Sequence, residues 1–182
     1  MPFMSFFAPD IAIDLRYAGP DNLTGKPVYP SDACVLAAET AQKLIAAQEI
    51  FTQDGYSLLI WDAYRPKSYH EQLYAAAPAG QRQYFADPGK GSNHSRGTAV
   101  DCTLIEIATG DLVAMPTDHD ELSALARRRR SDRAEEIQKN VDYFTGVMES
   151  VGFVGAQSEW WHFDDIHAKD YPLTDYDITV FR

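Results

Sequence analysis

Cysteine is almost absent from this sequence, with Cys34 and Cys102 its only two thiols. Two widely spaced cysteines make neither a disulfide framework nor a thiolate metal motif, and they suit a reducing cytoplasm. Basic charge is also scarce. The 16 Lys and Arg are outnumbered by 27 Asp and Glu, and the formal net charge of −11 argues against nucleic acid or an anionic membrane surface as a partner. No apolar run approaches the roughly 20 residues that a membrane-crossing helix needs. The apolar start Met1–Ala8 has no basic flank and meets Pro9-Asp10 at once, so it reads as a packed N-terminus rather than an export signal. Repeats, low-complexity tracts and linkers are missing too. The 182 residues are therefore expected to form one domain, 1–182, long enough to bury a core.

What is present alternates between strand-like and helix-like stretches. Ile11–Tyr17 alternates apolar and polar residues, as a half-exposed strand does. Asp32 is placed to cap a helix over Ala33–Thr52, whose Val35, Leu36, Leu44, Ile45 and Ile50 form an apolar stripe. Tyr56–Ala63 reads as a strand, and Pro66 keeps Arg65 extended at its exit. A short helix is expected over Lys67–Ala76, and a polar, Gly- and Pro-rich segment from Pro78 to Asn93 is expected to wrap over the surface. A buried strand follows over 98–106, then a hairpin turn at Ala108–Asp111 into Leu112–Ala114. Helical stretches are expected over Asp120–Arg129 and 132–150, the second ended by Gly152. Strands and helices mix without a βαβ repeat. The fold class expected is α+β: a small, mainly antiparallel sheet flanked by helices.

The chemistry concentrates in two segments. Ser92-Asn93-His94-Ser95-Arg96-Gly97-Thr98-Ala99-Val100-Asp101 sets a His and an Asp around a glycine, with the acid inside an apolar strand. A buried carboxylate needs a positive partner, and a metal ion is one. Taken alone, such a pair is more often a hydrogen-bonded His–Asp couple than a metal site. Ser158-Glu159-Trp160-Trp161-His162-Phe163 adds a second imidazole and a second acid, which shifts the balance. His94, Asp101 and His162 would fill three positions of a tetrahedral zinc site at the sheet and leave one for water. Glu159 would then handle that water's proton. On a flat strand Glu159 and His162 point to opposite faces, so this arrangement requires a turn or bulge between them.

The motif Ser-x-His-Ser-Arg-Gly-x-Ala-x-Asp, with Glu-Trp-Trp-His, resembles the zinc D-alanyl-D-alanine dipeptidases of the VanX type. Further blocks are similar to that family: Asp21–Val28, Leu59–Pro66 with its terminal Arg, and Gly110–Met115, so that the likeness runs from about residue 11 to 165. The resemblance implies one Zn2+ per chain on His94, Asp101 and His162, Glu159 as general base, and Arg65 as the cation facing a developing oxyanion. It also implies an Asp after the hairpin that binds the substrate ammonium. Spacing from Met115 gives Asp120, with Asp118 the near alternative because the loop at Pro116–His119 departs from the family pattern. Ser92 matches a pocket serine and is equally read as a loop residue bonding its own backbone. Tyr17 is a candidate pocket wall or plain packing.

Other features read as structural. Cys102, alternating with Asp101, is expected to face away from the metal. His119 and His167 sit in polar surroundings and are expected to stay off it. Arg127–Arg130 is followed by Asp132, Glu135 and Glu136, and reads as ion pairs on a solvated helix face. By the resemblance, the expected function is a cytoplasmic bacterial zinc dipeptidase acting on free D-Ala-D-Ala or a close relative, in glycopeptide resistance or in recovery of D-alanine. Alternatives are a D,D-carboxypeptidase or peptidoglycan endopeptidase of the same zinc group, or a non-catalytic zinc protein. The oligomeric state is left open.

Overall fold

A computed structural model describes residues 3–5, 11–78 and 80–181. Most of the apolar start Met1–Ala8 lies outside the described residues. Its Phe3–Ser5 forms a short strand, β1, which pairs antiparallel with a strand over Val35–Ala37. In chain order the other elements are β2 (Ala12–Ile13), β3 (Val35–Ala37), helix α1 (Ala38–Gln53), β4 (Tyr56–Asp62), α2 (Lys67–Ala76), β5 (Ala99–Glu106), α3 (Glu135–Ser150), β6 (Phe153–Gly155) and β7 (His162–Asp165). The main sheet has the order β2-β4-β5-β7-β6, in which only the β2–β4 pair is parallel. This is the expected α+β architecture. No helix of the described residues is long and apolar enough to cross a membrane.

One face of the sheet is dry. Leu58, Ile60, Cys102, Leu104 and Phe163 meet Leu44 and Phe51 of α1 and Phe144 and Met148 of α3, all fully buried or nearly so. Removing that much apolar surface from water is the main drive for folding. Cys102 packs here, away from Asp101, as its alternation demands.

Several boundaries differ from the sequence reading, each for a backbone reason. The helix expected from Ala33 begins only at Ala38, because the three preceding residues are buried in β3 and their backbone groups bond elsewhere. Ala37 N–H donates to Gly97 O at 2.8 Å, and Val35 O accepts from Tyr64 N–H at 2.9 Å. Asp32 therefore caps nothing; the N-cap position is Ala37. The strand expected over Ile11–Tyr17 is only two residues long and yields to a 3₁₀ turn at Arg16–Ala18, which buries Tyr17. The hairpin shrinks to a single bridge between Ile105 and Leu112. Asp120–Arg129 forms one 3₁₀ turn, Ala124–Ala126, instead of a helix. Its backbone is tied across to another loop, with Trp160 N–H donating to Ala126 O at 2.9 Å and Arg128 N–H to Gln157 O at 3.1 Å. The segment after Pro78 does more than wrap the surface: Tyr84, Phe85 and Ala86 form one wall of the cavity described next.

Candidate active site

The register of the sheet builds the site. Asp101 on β5 pairs directly with His162 on β7, and Ala99 with Asp164, so these side chains share the face opposite the dry core. On β4 the pairing steps from Ile60↔Cys102 to Asp62↔Asp101, leaving Trp61 as an extra residue. That bulge turns Asp62 from the core face to the site face. Two acids now oppose each other in the interior. The fork of Arg65, just beyond the strand, meets them: Nε and Nη2 donate to Asp62 Oδ2 at 2.9 and 2.6 Å, and Nη2 lies 3.7 Å from Asp101 Oδ2. Burial opposes the Arg65 charge, but Asp62 more than offsets it and the guanidinium stays protonated.

His94 arrives from a 3₁₀ turn, Asn93–Arg96, whose first N–H groups are capped by Ser92 Oγ accepting from His94 N–H at 3.2 Å. Gly97 closes the turn at φ 70, where a Cβ would stand 2.3 Å from the Phe3 ring. His94 Nε2, Asp101 Oδ1 and His162 Nδ1 then all fall within 4.8 Å of one another. The far nitrogen of each imidazole is taken, His94 Nδ1 by Ala63 O at 2.7 Å and His162 Nε2 by Asp164 Oδ1 at 3.0 Å. Each far nitrogen is placed to donate its proton to that oxygen, which turns a lone pair inward on both rings. With the far nitrogens so engaged, three inner atoms can present lone pairs to one point, and they already lie 2.9–3.3 Å apart. Two imidazoles and a carboxylate gathered this closely fit a divalent metal with nitrogen and oxygen ligands.

Glu159 stands before β7, not on it. The strand begins at His162 and a turn covers Trp160 and Trp161. This supplies the change of direction that a flat strand would deny, and both side chains reach one cavity. Burial pushes the Glu159 carboxyl up to about 7. The cavity is about 310 Å³, and His94, Asp101, His162, Glu159, Arg65, Tyr17 and Ser92 all line it. Asp120 is there, with its Oδ2 accepting from Tyr17 OH at 2.6 Å. It is the single non-glycine residue with positive φ (57°) among the described residues, a conformation that costs energy and clusters at functional sites. Asp118 instead lies outside, 66% exposed and 3.7 Å from Arg16.

Five contributors escaped the sequence reading. Asp62 and Asp164 orient Arg65 and His162. His70 touches Arg65 Nη1 through Nδ1 at 3.4 Å and donates from Nε2 to Ala86 O at 2.9 Å; burial and the Arg65 charge push it down to about 4, so it is neutral. His119 is not in polar surroundings, as expected, but buried behind Asp101, with Nε2 3.3 Å from Asp101 Oδ2. Arg128, expected on a solvated face, is 1% exposed. It donates to Ala156 O at 2.9 Å, Thr145 Oγ1 at 2.8 Å, Glu159 O at 3.2 Å and His162 O at 2.8 Å, and so fastens the turn that carries Glu159. A Cβ on Gly155 would lie 2.4 Å from this guanidinium, so only glycine leaves it room. His167, in contrast, is exposed and remote, as expected.

A family model described as D-ala-D-ala dipeptidase (Peptidase_M15) matches residues 2–181. The D-alanyl-D-alanine dipeptidase of Escherichia coli (strain K12) is 38% identical, over 91% of this chain and 84% of that protein. The D-alanyl-D-alanine dipeptidase of Enterococcus faecium is 32% identical, over 98% of this chain and 96% of that protein. A solved structure of a zinc-bound mutant of the vancomycin-resistance D,D-pentapeptidase VanY superposes with a TM-score of 0.47 and 14% identity, over 78% of each chain.

Proposed function

This chain belongs to the D-Ala-D-Ala dipeptidase family, and we propose that it hydrolyses D-alanyl-D-alanine, or closely related small dipeptides, to free amino acids. The observation that carries the reading is the convergence of His94 Nε2, Asp101 Oδ1 and His162 Nδ1, with their other polar atoms already engaged. These residues would hold one Zn2+ per chain. When bound, zinc polarises the scissile carbonyl and brings the pKa of a water ligand to about 7.

The chain's own groups divide the remaining work. Glu159 carboxylate takes the proton of the attacking water and returns it to the departing amine, a role suited to a carboxyl that burial has pushed toward neutrality. Arg65, permanently charged and fixed by Asp62, presents its guanidinium where negative charge grows on the carbonyl oxygen. Asp120, held by Tyr17, binds the substrate ammonium; its place in the cavity favours it over Asp118. Ser92 lines the same cavity and contributes to the substrate pocket. A cavity of about 310 Å³ suits a substrate of two small residues better than a polymer strand. The whole of 1–182 works as one domain, and the two free, buried thiols Cys34 and Cys102 support a cytoplasmic setting.

The test is hydrolysis of D-Ala-D-Ala compared with L-Ala-L-Ala and with a tripeptide ending in D-Ala-D-Ala, all with added zinc. Rapid turnover of the D,D-dipeptide alone is expected. Faster cleavage of the tripeptide would overturn the dipeptidase reading in favour of a carboxypeptidase. Glu159→Gln is expected to retain zinc and lose hydrolysis by roughly 10²–10⁴-fold; wild-type turnover by this variant would remove the mechanism.

A further inference from the structure

His119 is buried, with its side chain 2% exposed, yet it lines no part of the cavity. Its ring is wedged between Trp61 (centroids 5.4 Å apart), Trp161 (5.7 Å) and Tyr17 (5.8 Å). An imidazole packed in aromatic walls is costly unless its polar atoms find partners. The partner is the outer oxygen of Asp101: Nε2 stands 3.3 Å from Oδ2, and 3.7 Å from Asp120 Oδ1. A carboxylate's terminal torsion is soft, so Asp101 left to itself could swing or present both oxygens to a cation. With Oδ2 engaged by His119, and facing Arg65 Nη2 at 3.7 Å, Oδ1 is the atom left pointing at His94 and His162.

We propose that His119 is a positioning residue for the metal centre: by donating from Nε2 to Asp101 Oδ2 it fixes which oxygen of Asp101 faces the cation and thereby sets the affinity of the site. The inference rests on Asp101 being a zinc ligand. It also accounts for the strained turn at Asp120, because one short loop then delivers both the ammonium-binding carboxylate and the imidazole that steadies the ligand next to it. The function needs only the Nε2 donor. The aromatic packing merely holds the ring in place.

Two substitutions separate these parts. His119→Phe keeps an aromatic ring between the tryptophans and removes the donor; His119→Gln sacrifices the ring and keeps a donor at similar reach. Zinc affinity is measured on the full chain by competition with a chromogenic chelator, with the melting temperature of the metal-free protein alongside. Loss of an outer hydrogen bond of this kind is expected to weaken zinc binding roughly 10–100-fold in the Phe variant, with Gln nearer to wild type than to Phe. Should Phe not fold, His119→Met serves as the donorless variant. Unchanged affinity in the donorless variant, or a Gln variant as weak as it, would overturn the proposal. So would a fall in metal-free melting temperature with zinc affinity intact, the mark of a purely packing role. Failure of the wild-type protein to bind zinc would instead strike the zinc reading itself, and lack of dipeptidase activity would leave this binding test untouched.

Discussion

Arg65 and Arg128 are both withdrawn from water, 5% and 1% exposed, and they are used in opposite ways. Arg65 meets carboxylates, Asp62 at 2.6 Å and Asp101 at 3.7 Å, and borders an open cavity. Arg128 meets no carboxylate within ion-pair distance among the described residues. It spends its N–H groups on three backbone carbonyls and a threonine hydroxyl, with its guanidinium 4.3 Å from the centre of the Phe163 ring. Burial pushes Arg128 down to about 10, whereas Asp62 holds Arg65 firmly charged. A buried cation balanced by acids at a cavity is a tool for chemistry. One distributed over carbonyls is a fastening for backbone that would otherwise have no regular structure.

The same substitution at both positions tests that contrast. Arg65→Lys keeps the charge and loses the planar fork, so kcat/KM for D-Ala-D-Ala should fall roughly 10²–10³-fold, with zinc content preserved. Steady-state hydrolysis with metal analysis reads this, and near-normal turnover would erase the distinction. Arg128→Lys should leave at least one carbonyl of the 156–162 turn unpaired, at a cost of about 2–3 kcal/mol and a fall in Tm of roughly 4–12 °C, with a smaller effect on turnover than Arg65→Lys. Thermal melting monitored by circular dichroism checks it; a large loss of activity at unchanged Tm would place Arg128 with Arg65. The smallest effect is expected at Ser92, which caps the turn bearing His94 and also lines the cavity. Ser92→Ala should cost about 1 kcal/mol of stability, a Tm fall of roughly 2–4 °C, together with a raised KM. A lower Tm with unchanged KM would leave it a cap and nothing more.

The two arginines also mark what could be read from the chain. Arg65 stood out because the block Leu59–Pro66 resembles the family's strand with its functional arginine, while the proline after it spoke only for an extended backbone. Arg128 was hidden in a run of four arginines, where the one that turns inward looks like its neighbours. His119 was hidden likewise, since flanking acids give the same local pattern on a surface loop as behind a ligand. The strands over 56–62 and 99–106 were legible as short apolar runs, since both faces of each are buried, and the helix over 67–76 has the bounds expected after Pro66. The helix expected over Asp120–Arg129 failed because cross-loop bonds to Gln157 and Trp160, invisible in local sequence, take its backbone groups. His94, Asp101 and His162 were legible as a set because such residues on apolar strands have few bland explanations. Asp62 and Asp164 were not: each meets a group only three or two residues away, Arg65 and His162, and local sequence does not show which face of a strand an acid will take.

The extra residue at Trp61 carries a consequence for how far this strand can vary. Upstream of it, β4 can exchange one apolar side chain for another of similar bulk and still hold its place. At that point the count of residues, rather than their kind, decides whether the acid at 62 looks into the pocket or into the oil. Loss or gain of a single link there would turn the acid at 62 toward the oil and leave the cation at 65 without its counter-charge.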